Sequence, residues 1–309
     1  MAAIAACKFS ISTTAAAAGN ESTIQAQNRR CVSKACKSDI KFSEGFQSGH
    51  RFRAYQVRRN TVYPRINSRP FMLKVKSQLE EDVTIDNSTV LVVGGGGTGM
   101  EVVRALAKAG SWVTAFQRGD KFRKEVEGLG AMLAIGDVMN PSTIEKALGS
   151  NTFDAVVCTV GGGIKNTEVD KDGCINVMRA AKNAGVKRFI LVSSIGVGDS
   201  LKAINEQTLQ VLKLVLEAKY VAEEELKSSG LAYTILRPGG LLTGPASGKG
   251  ILTEDSSVLG LITRADVASL IMQILFKKEA ECKTLSAIDS EKLQPPTTSL
   301  EGVQIFPLT

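Results

Sequence analysis

The chain has 309 residues, 43% hydrophobic and 22% charged, with a formal net charge of +7. This composition is that of a soluble globular protein with one large or two small domains, and no stretch reaches the roughly 18 uninterrupted apolar residues of a membrane span. The charge is unevenly held. Residues 1–76 carry 14 of the 38 Lys and Arg but only Glu21, Asp39 and Glu44 among the acids, so this segment stands at +11 and the remainder at −4. Nucleic-acid binding needs a basic face on the folded part, and that balance argues against it.

The chain opens MAAIAACKFSISTTAAAA and later carries Arg51, Arg53, Arg58, Arg59, Arg65 and Arg69. A segment rich in Ala, hydroxyl residues and Arg and poor in acids has the composition of an organelle transit peptide, here of chloroplast type. A disordered basic tail with another role is the alternative. Residues 1–76 are therefore expected to be a disordered leader, removed between Tyr63 and Gln78. The expected location is the chloroplast, in the stroma or peripherally on a thylakoid or envelope membrane. Cys7, Cys31 and Cys36 fall in this leader. Cys158, Cys174 and Cys282 remain, without a CxxC pair, and imply neither a disulfide framework nor a metal site. The single histidine, His50, also lies in the leader. Its removal would leave a mature chain without histidine chemistry or histidine metal ligation.

From residue 83 onward, short β-rich runs alternate with helical segments. A strand at 89–93 (TVLVV) leads through a glycine cluster into a helix at 99–109. A strand at 112–116, a helix near 121–128 and a strand at 131–135 follow. A short helix then starts at Pro141, with proline at its first position. The strand 153–159 ends in Gly161-Gly162-Gly163. Next come a helix 170–184 closed by Gly185, a strand 188–193, a long helix 206–229 closed by Gly230 and a strand 231–236. A helix 264–276 and a strand 284–288 complete the series. Such alternation predicts a single α/β domain over 83–289, a doubly wound parallel sheet of the Rossmann type covered on both faces. The tail 290–309 reads as irregular.

Gly94, Gly96 and Gly99 form G-x-G-x-x-G between the first strand and its helix. The first glycine permits the turn, the second lets a diphosphate approach, and the third lets helix and strand pack closely. Backbone N–H groups of Gly97 and Thr98 and the helix dipole complete an anion seat. At the end of the second strand an NAD-binding domain places an acid for the ribose 2′-OH. Here the run is Phe116-Gln117-Arg118-Gly119, and Arg118 stands where a 2′-phosphate would lie. NADP(H) is expected on that ground; Asp120 reaching the ribose would be the NAD(H) alternative. Asp137 is placed near the adenine, or as a cap of the next helix. Thr159 and Gly161 are placed along the far side of the cofactor.

These motifs, together with AGVKRFILVSSIGVG (184–198), LAYTILRPGGL (231–241) and TRADVA (263–268), resemble the atypical short-chain dehydrogenase/reductases. Among these, the chain is most similar to the NAD(P)H-binding, NmrA-like group common in plastids and cyanobacteria. That group includes flavin and biliverdin reductases and chloroplast NADPH-binding scaffold proteins. The likeness spans 89–288, although the group's usual G-x-x-G-x-x-G turn is one residue tighter here. It implies that Pro238 and Gly239 pass the nicotinamide. The wider superfamily uses Tyr-x-x-x-Lys beside a Ser, with Tyr as proton donor. Ser193 and Ser194 are the matching serines and Lys219 the matching lysine, but Val215 stands where the tyrosine belongs. Lys219 is a candidate ribose ligand or a solvated helix charge, and Tyr220 should point about 100° away from it. Thr263 and Asp266 read as a helix cap, with no catalytic part for Arg264 or Asp266.

Two functions follow as expectations. One is a reductase that passes hydride to a small conjugated acceptor such as a flavin, quinone or tetrapyrrole. The other is an NADPH-sensing regulatory or assembly scaffold that binds plastid protein partners without turnover.

Overall fold

A computed structural model describes residues 41–47, 50–56 and 83–308. The expected leader lies outside the described residues, apart from two strands whose backbone pairing alone is described. β1 (Lys41–Gln47) and β2 (His50–Gln56) are antiparallel, with Lys41 opposite Gln56 and Gln47 opposite His50. They belong to a unit separate from Lys76–Thr309.

The second unit follows the predicted alternation. β3 (Thr89–Val93), α1 (Gly97–Lys108), β4 (Trp112–Gln117), α2 (Arg123–Gly128), β5 (Met132–Ile135) and α3 (Pro141–Leu148) make its first half. The second half holds β6 (Ala155–Cys158), α4 (Cys174–Asn183), β7 (Arg188–Val192), α5 (Glu206–Ser228) and β8 (Ala232–Pro238). Three short strands follow, β9 (Gly240–Leu242), β10 (Gly250–Thr253) and β11 (Leu261–Thr263), then α6 (Arg264–Ile274) and β12 (Lys283–Asp289). The main sheet runs β10-β12-β8-β7-β6-β3-β4-β5. Seven strands are parallel, and β10 is an antiparallel edge on β12. The sequence reading missed β9, β10 and β11 because each spans only three or four residues between turn-forming glycines.

The near-continuous apolar strands are explained by burial on both faces. Val90, Val92, Val113, Ala115, Val157 and Ile190 pack under α1 and α6. The alternate residues Leu91, Val93, Phe116, Val156, Phe189 and Leu191 pack under α3, α4 and α5. The strand order reverses between β3 and β6, and at such a switch point the connections diverge and leave a crevice at the carboxyl edge. No helix among the described residues is long and apolar enough to cross a membrane.

Two buried polar devices hold the β8–β12 half. Arg188, at the start of β7, donates from Nε to Leu275 O at 2.7 Å, from Nη1 to Ala232 O at 3.1 Å and from Nη2 to Ile274 O at 3.3 Å. It also bonds Thr234 Oγ1. It thus satisfies the carbonyls that α6 leaves open at its end. Burial pushes its pKa down to about 10, so it stays charged at neutral pH. Asp266, in the first turn of α6, accepts from Thr263 Oγ1 (2.6 Å), Ser247 N (2.9 Å), Ser247 Oγ (3.0 Å) and Gly248 N (2.9 Å). The expected cap is present, since Thr263 Oγ1 also accepts from Asp266 N at 3.0 Å. In addition, the carboxylate pins the 243–249 loop between β9 and β10. The tail has neither helix nor strand, yet it is docked: Phe306 is buried, Phe306 N donates to Leu252 O at 2.7 Å and Leu261 N to Lys292 O at 2.8 Å.

Arg188→Ala should leave two buried carbonyls and one part-buried carbonyl short of a donor and cost about 3 kcal/mol, read from urea unfolding; a loss under about 1 kcal/mol would contradict this role. For Asp266, burial acts to raise the pKa, but the bonds from Thr263, Ser247 and Gly248 outweigh it and hold it below 3.8. A depressed carboxyl stabilises the fold above its unfolded value and loses that contribution as pH falls through the folded one. Wild-type stability should therefore decline below about pH 4, and Asp266→Asn should show a lower plateau and a shallower acid slope. Identical slopes would refute the assignment.

Candidate cofactor site

β3 ends at Val93, and only Gly94, Gly95 and Gly96 separate it from α1. The helix therefore begins at Gly97, two residues earlier than the sequence reading placed it. Gly94 has φ +132°, a conformation that side chains rarely adopt. A Cβ on Gly94 would lie 2.4 Å from Thr159 Oγ1, and one on Gly99 would lie 2.2 Å from Gly94 O. A Cβ on Gly96 would meet nothing within 4 Å. Gly94 and Gly99 are thus required for packing, and Gly96 faces open space. Gly96, the residue before the helix, gives no side-chain cap, and the first turn of α1 holds no acid. Its leading N–H groups are left for an outside anion.

The turn opens on a cleft of about 360 Å3 lined by Gly94, Gly96, Arg118, Asp137, Thr159 and Gly161 together with Phe116, Lys121 and Val138. Six of the predicted cofactor residues thus meet at one cleft. Gly97, Thr98 and Gly99 are in the first turn of α1 behind it. At the end of β4, Gln117 is buried and donates from Nε2 to Met100 Sδ at 3.1 Å. No acid stands there. Arg118 is exposed and enters none of the ion pairs among the described residues. Asp137 Oδ1 accepts from Met139 N at 3.0 Å, a local turn that orients it at the rim. The residues present fit a dinucleotide: a glycine cradle that a Cβ would fill, free helix amides and an unpaired guanidinium at the second strand.

The far end of the carboxyl edge differs from the sequence reading in several side chains. Lys219 is no solvated charge. Its side chain is 14% exposed and pairs at 2.8 Å with Asp170, which is 1% exposed. Burial pulls the Lys219 pKa down, but Asp170 outweighs it and the net shift is upward. Asp170 Oδ2 accepts from Gly162 N (2.8 Å) and Gly163 N (3.0 Å), so the pair fixes the glycine turn after β6. Asp170 was missed because it lies in VDKDG, a sequence read as the start of a helix. Those residues, Val169–Gly173, form a π-helical turn, and α4 begins only at Cys174. Tyr220 diverges from Lys219 as expected, with its ring against Gly198.

Ser193 is buried and its hydroxyl donates to Glu223 Oε1 at 2.5 Å, so its proton is engaged within the protein. Glu223 also takes Arg237 Nη2 at 2.6 Å and Nε at 3.1 Å, and Arg237 Nη1 reaches Asp199 at 2.5 Å. Glu223 was hidden in an EEE run that resembles an exposed helix face. Ser194 is half-buried, with Oγ donating to Ile195 O at 2.9 Å. At Gly239 a Cβ would stand 2.1 Å from Gly260 O, so packing of the β9–β11 layer by itself requires this glycine. Pro238 is the buried last residue of β8, and its carbonyl accepts from Ile195 N at 3.0 Å. Cys158 and Cys174 are buried thiols 4.0 Å apart, and Cys282 is exposed.

Residues 94–278 match the model of an NAD(P)H-binding family. The chloroplastic protein At2g34460 of Arabidopsis thaliana is 30% identical over 223 residues, covering 68% of this chain and 79% of its own. Protein TIC 62, chloroplastic, of Oryza sativa subsp. japonica is 31% identical over 241 residues, 68% of this chain but only 48% of its own. Among solved structures, ChuY, an anaerobillin reductase from Escherichia coli O157:H7, superposes with a TM-score of 0.60 at 28% identity, covering 68% of this chain and 99% of that one. With a glycine cradle at the switch point of a Rossmann sheet and a family match over that same domain, the chain belongs to the NAD(P)H-binding family, in the NmrA-like group of atypical short-chain dehydrogenase/reductases.

Proposed function

We propose that this protein is a chloroplast NADPH-dependent reductase that delivers hydride to a flat conjugated acceptor, a flavin, quinone or tetrapyrrole. The observation that carries the reading is an intact dinucleotide cradle in a chain whose proton-donor position holds Val215, a buried residue on α5. When bound, NADPH supplies the hydride. A conjugated acceptor spreads the added charge and takes its proton from water. The chain then has only to position the two rings and exclude bulk solvent.

Gly94, Gly96 and the first amides of α1 would hold the diphosphate, and Arg118 the 2′-phosphate. Thr159 and Gly161 would border the nicotinamide half. Lys219 and Asp170 keep the glycine turn in place rather than move a proton. Ser194 is the one predicted catalytic hydroxyl left near the edge. Ile164, just after that turn, and Leu241, just after β8, are exposed apolar residues that suit a planar ligand. The likeness to ChuY, an anaerobillin reductase, supports a tetrapyrrole-type acceptor. The chloroplastic relatives support the plastid location.

A second reading, an NADPH-sensing scaffold, is favoured by one surface. Val211, Leu214 and Val221 are exposed on α5 at a spacing that puts them on one helix face, and the chain resembles TIC 62 over about half of that protein.

Purified protein should bind NADPH at least about tenfold more tightly than NADH. Arg118→Ala should narrow the gap by about tenfold through lost NADPH affinity alone. Equal or tighter NADH binding by the wild type would sink the NADP(H) assignment. NADPH oxidation should appear with one of the flavin, quinone or bilin acceptors. Tight cofactor binding without oxidation across that panel would overturn the reductase and leave the scaffold.

A further inference from the structure

Arg264 is the first residue of α6, and its place is fixed from two sides. β11 brings the chain there by pairing with β9, and Thr263 caps the helix that Arg264 begins. Its side chain crosses the face of Gly97, the first residue of α1. A Cβ on Gly97 would stand 2.7 Å from Arg264 Cδ and 3.0 Å from Nε. The guanidinium therefore lies at the amino end of α1, next to the glycine cradle. Nη1 donates to Thr243 Oγ1 at 2.9 Å. Arg264 takes part in none of the ion pairs among the described residues.

This arrangement is electrostatically unfavourable as it stands. A helix amino end carries roughly half a positive charge, and α1 has neither a capping side chain nor an acid in its first turn to offset it. A guanidinium held beside it adds a full charge of the same sign. Both become favourable together once an anion sits between or over them, and a planar fork of donors matches phosphate oxygens. Thr243 is neutral, so it orients the fork without consuming its charge.

We infer that Arg264 is a diphosphate-binding residue, the second guanidinium of the cofactor site. It acts on the bridge common to NADH and NADPH, whereas Arg118 acts on the 2′-phosphate. The inference rests on dinucleotide binding at this cleft but on neither the choice of cofactor nor the reductase activity.

The test is equilibrium binding to the full chain. The dinucleotide is whichever of NADPH and NADH binds the wild type more tightly, and the control is adenosine or 2′-AMP, which lack the diphosphate. Arg264→Gln should raise the dinucleotide Kd about tenfold and leave the control ligand's affinity unchanged. Arg264→Lys, which keeps the charge but not the fork, should raise it roughly threefold. Should Arg264→Gln fail to fold by circular dichroism, Arg264→Lys carries the same comparison. Unchanged dinucleotide affinity overturns the inference, and so does an equal loss for dinucleotide and control. If the wild type binds neither dinucleotide, the cofactor reading falls and Arg264 loses its ligand with it. If the wild type binds and the variants match it, only Arg264 is refuted.

Discussion

Gly99 and Gly94 meet so closely that a Cβ on the first would lie 2.2 Å from the carbonyl oxygen of the second. That backbone contact draws α1 onto the carboxyl end of β3 and leaves only three residues for the turn. A turn this short forces the first amides of the helix to face the crevice where the sheet order reverses. A larger residue at either position would push the helix away, and the anion seat would open. The mixed sheet, the two-faced core and the position of Arg118 all assume this junction. β4 runs beside β3 from Thr89 opposite Trp112 to Val93 opposite Phe116, so the register delivers Arg118 beside the turn.

On the other side of the switch point, charge rather than close backbone contact sets the geometry. Asp170 with Lys219, and Glu223 with Arg237, are buried pairs reaching from α5 or its neighbouring turn to the ends of β6 and β8. Buried pairs seldom add much net stability, because desolvation cancels most of the attraction. Their consequence is positional: breaking one partner strands the other charge, so the backbone each one grips has little freedom. Asp170 grips the amides of Gly162 and Gly163, and Glu223 grips Ser193 at the end of β7. The carboxyl edge on this side is thus built on strand ends that are held in place.

The alternation of strands and helices was legible because burial on both faces leaves long apolar runs and because glycines mark the helix ends. The cradle was legible because close backbone approach admits only glycine, a constraint written directly in residue identity. The polar layer was not. Asp170, Glu223 and Arg237 owe their roles to partners 7 to 49 residues away in the chain, and a carboxylate in VDKDG or EEE looks the same whether solvated or buried. Ser193 and Ser194 are adjacent and alike in sequence, yet pleating sends the first inward to Glu223. The close approach of Gly239 to Gly260, 21 residues on, is likewise invisible in the local sequence. Strands of three residues, such as β9 and β11, carry too few residues for a period to appear.

The absence of tyrosine at position 215 narrows the chemistry more than any residue present. A carbonyl reduced by hydride develops charge on one oxygen and needs an acid close by, in place before the transfer. Val215 cannot supply it, and Lys219, at the superfamily's lysine position on that helix, is committed to Asp170 and held in its charged form. Ser193 is committed to Glu223. An isolated ketone would therefore meet no acid of suitable strength among the superfamily positions. A conjugated ring system has no such need, since the charge is delocalised before any proton arrives. The same residues that remove the usual acid leave the cofactor cradle untouched. That separation is the ground on which the proposed reduction of a conjugated acceptor, and its alternative of cofactor sensing without turnover, both rest.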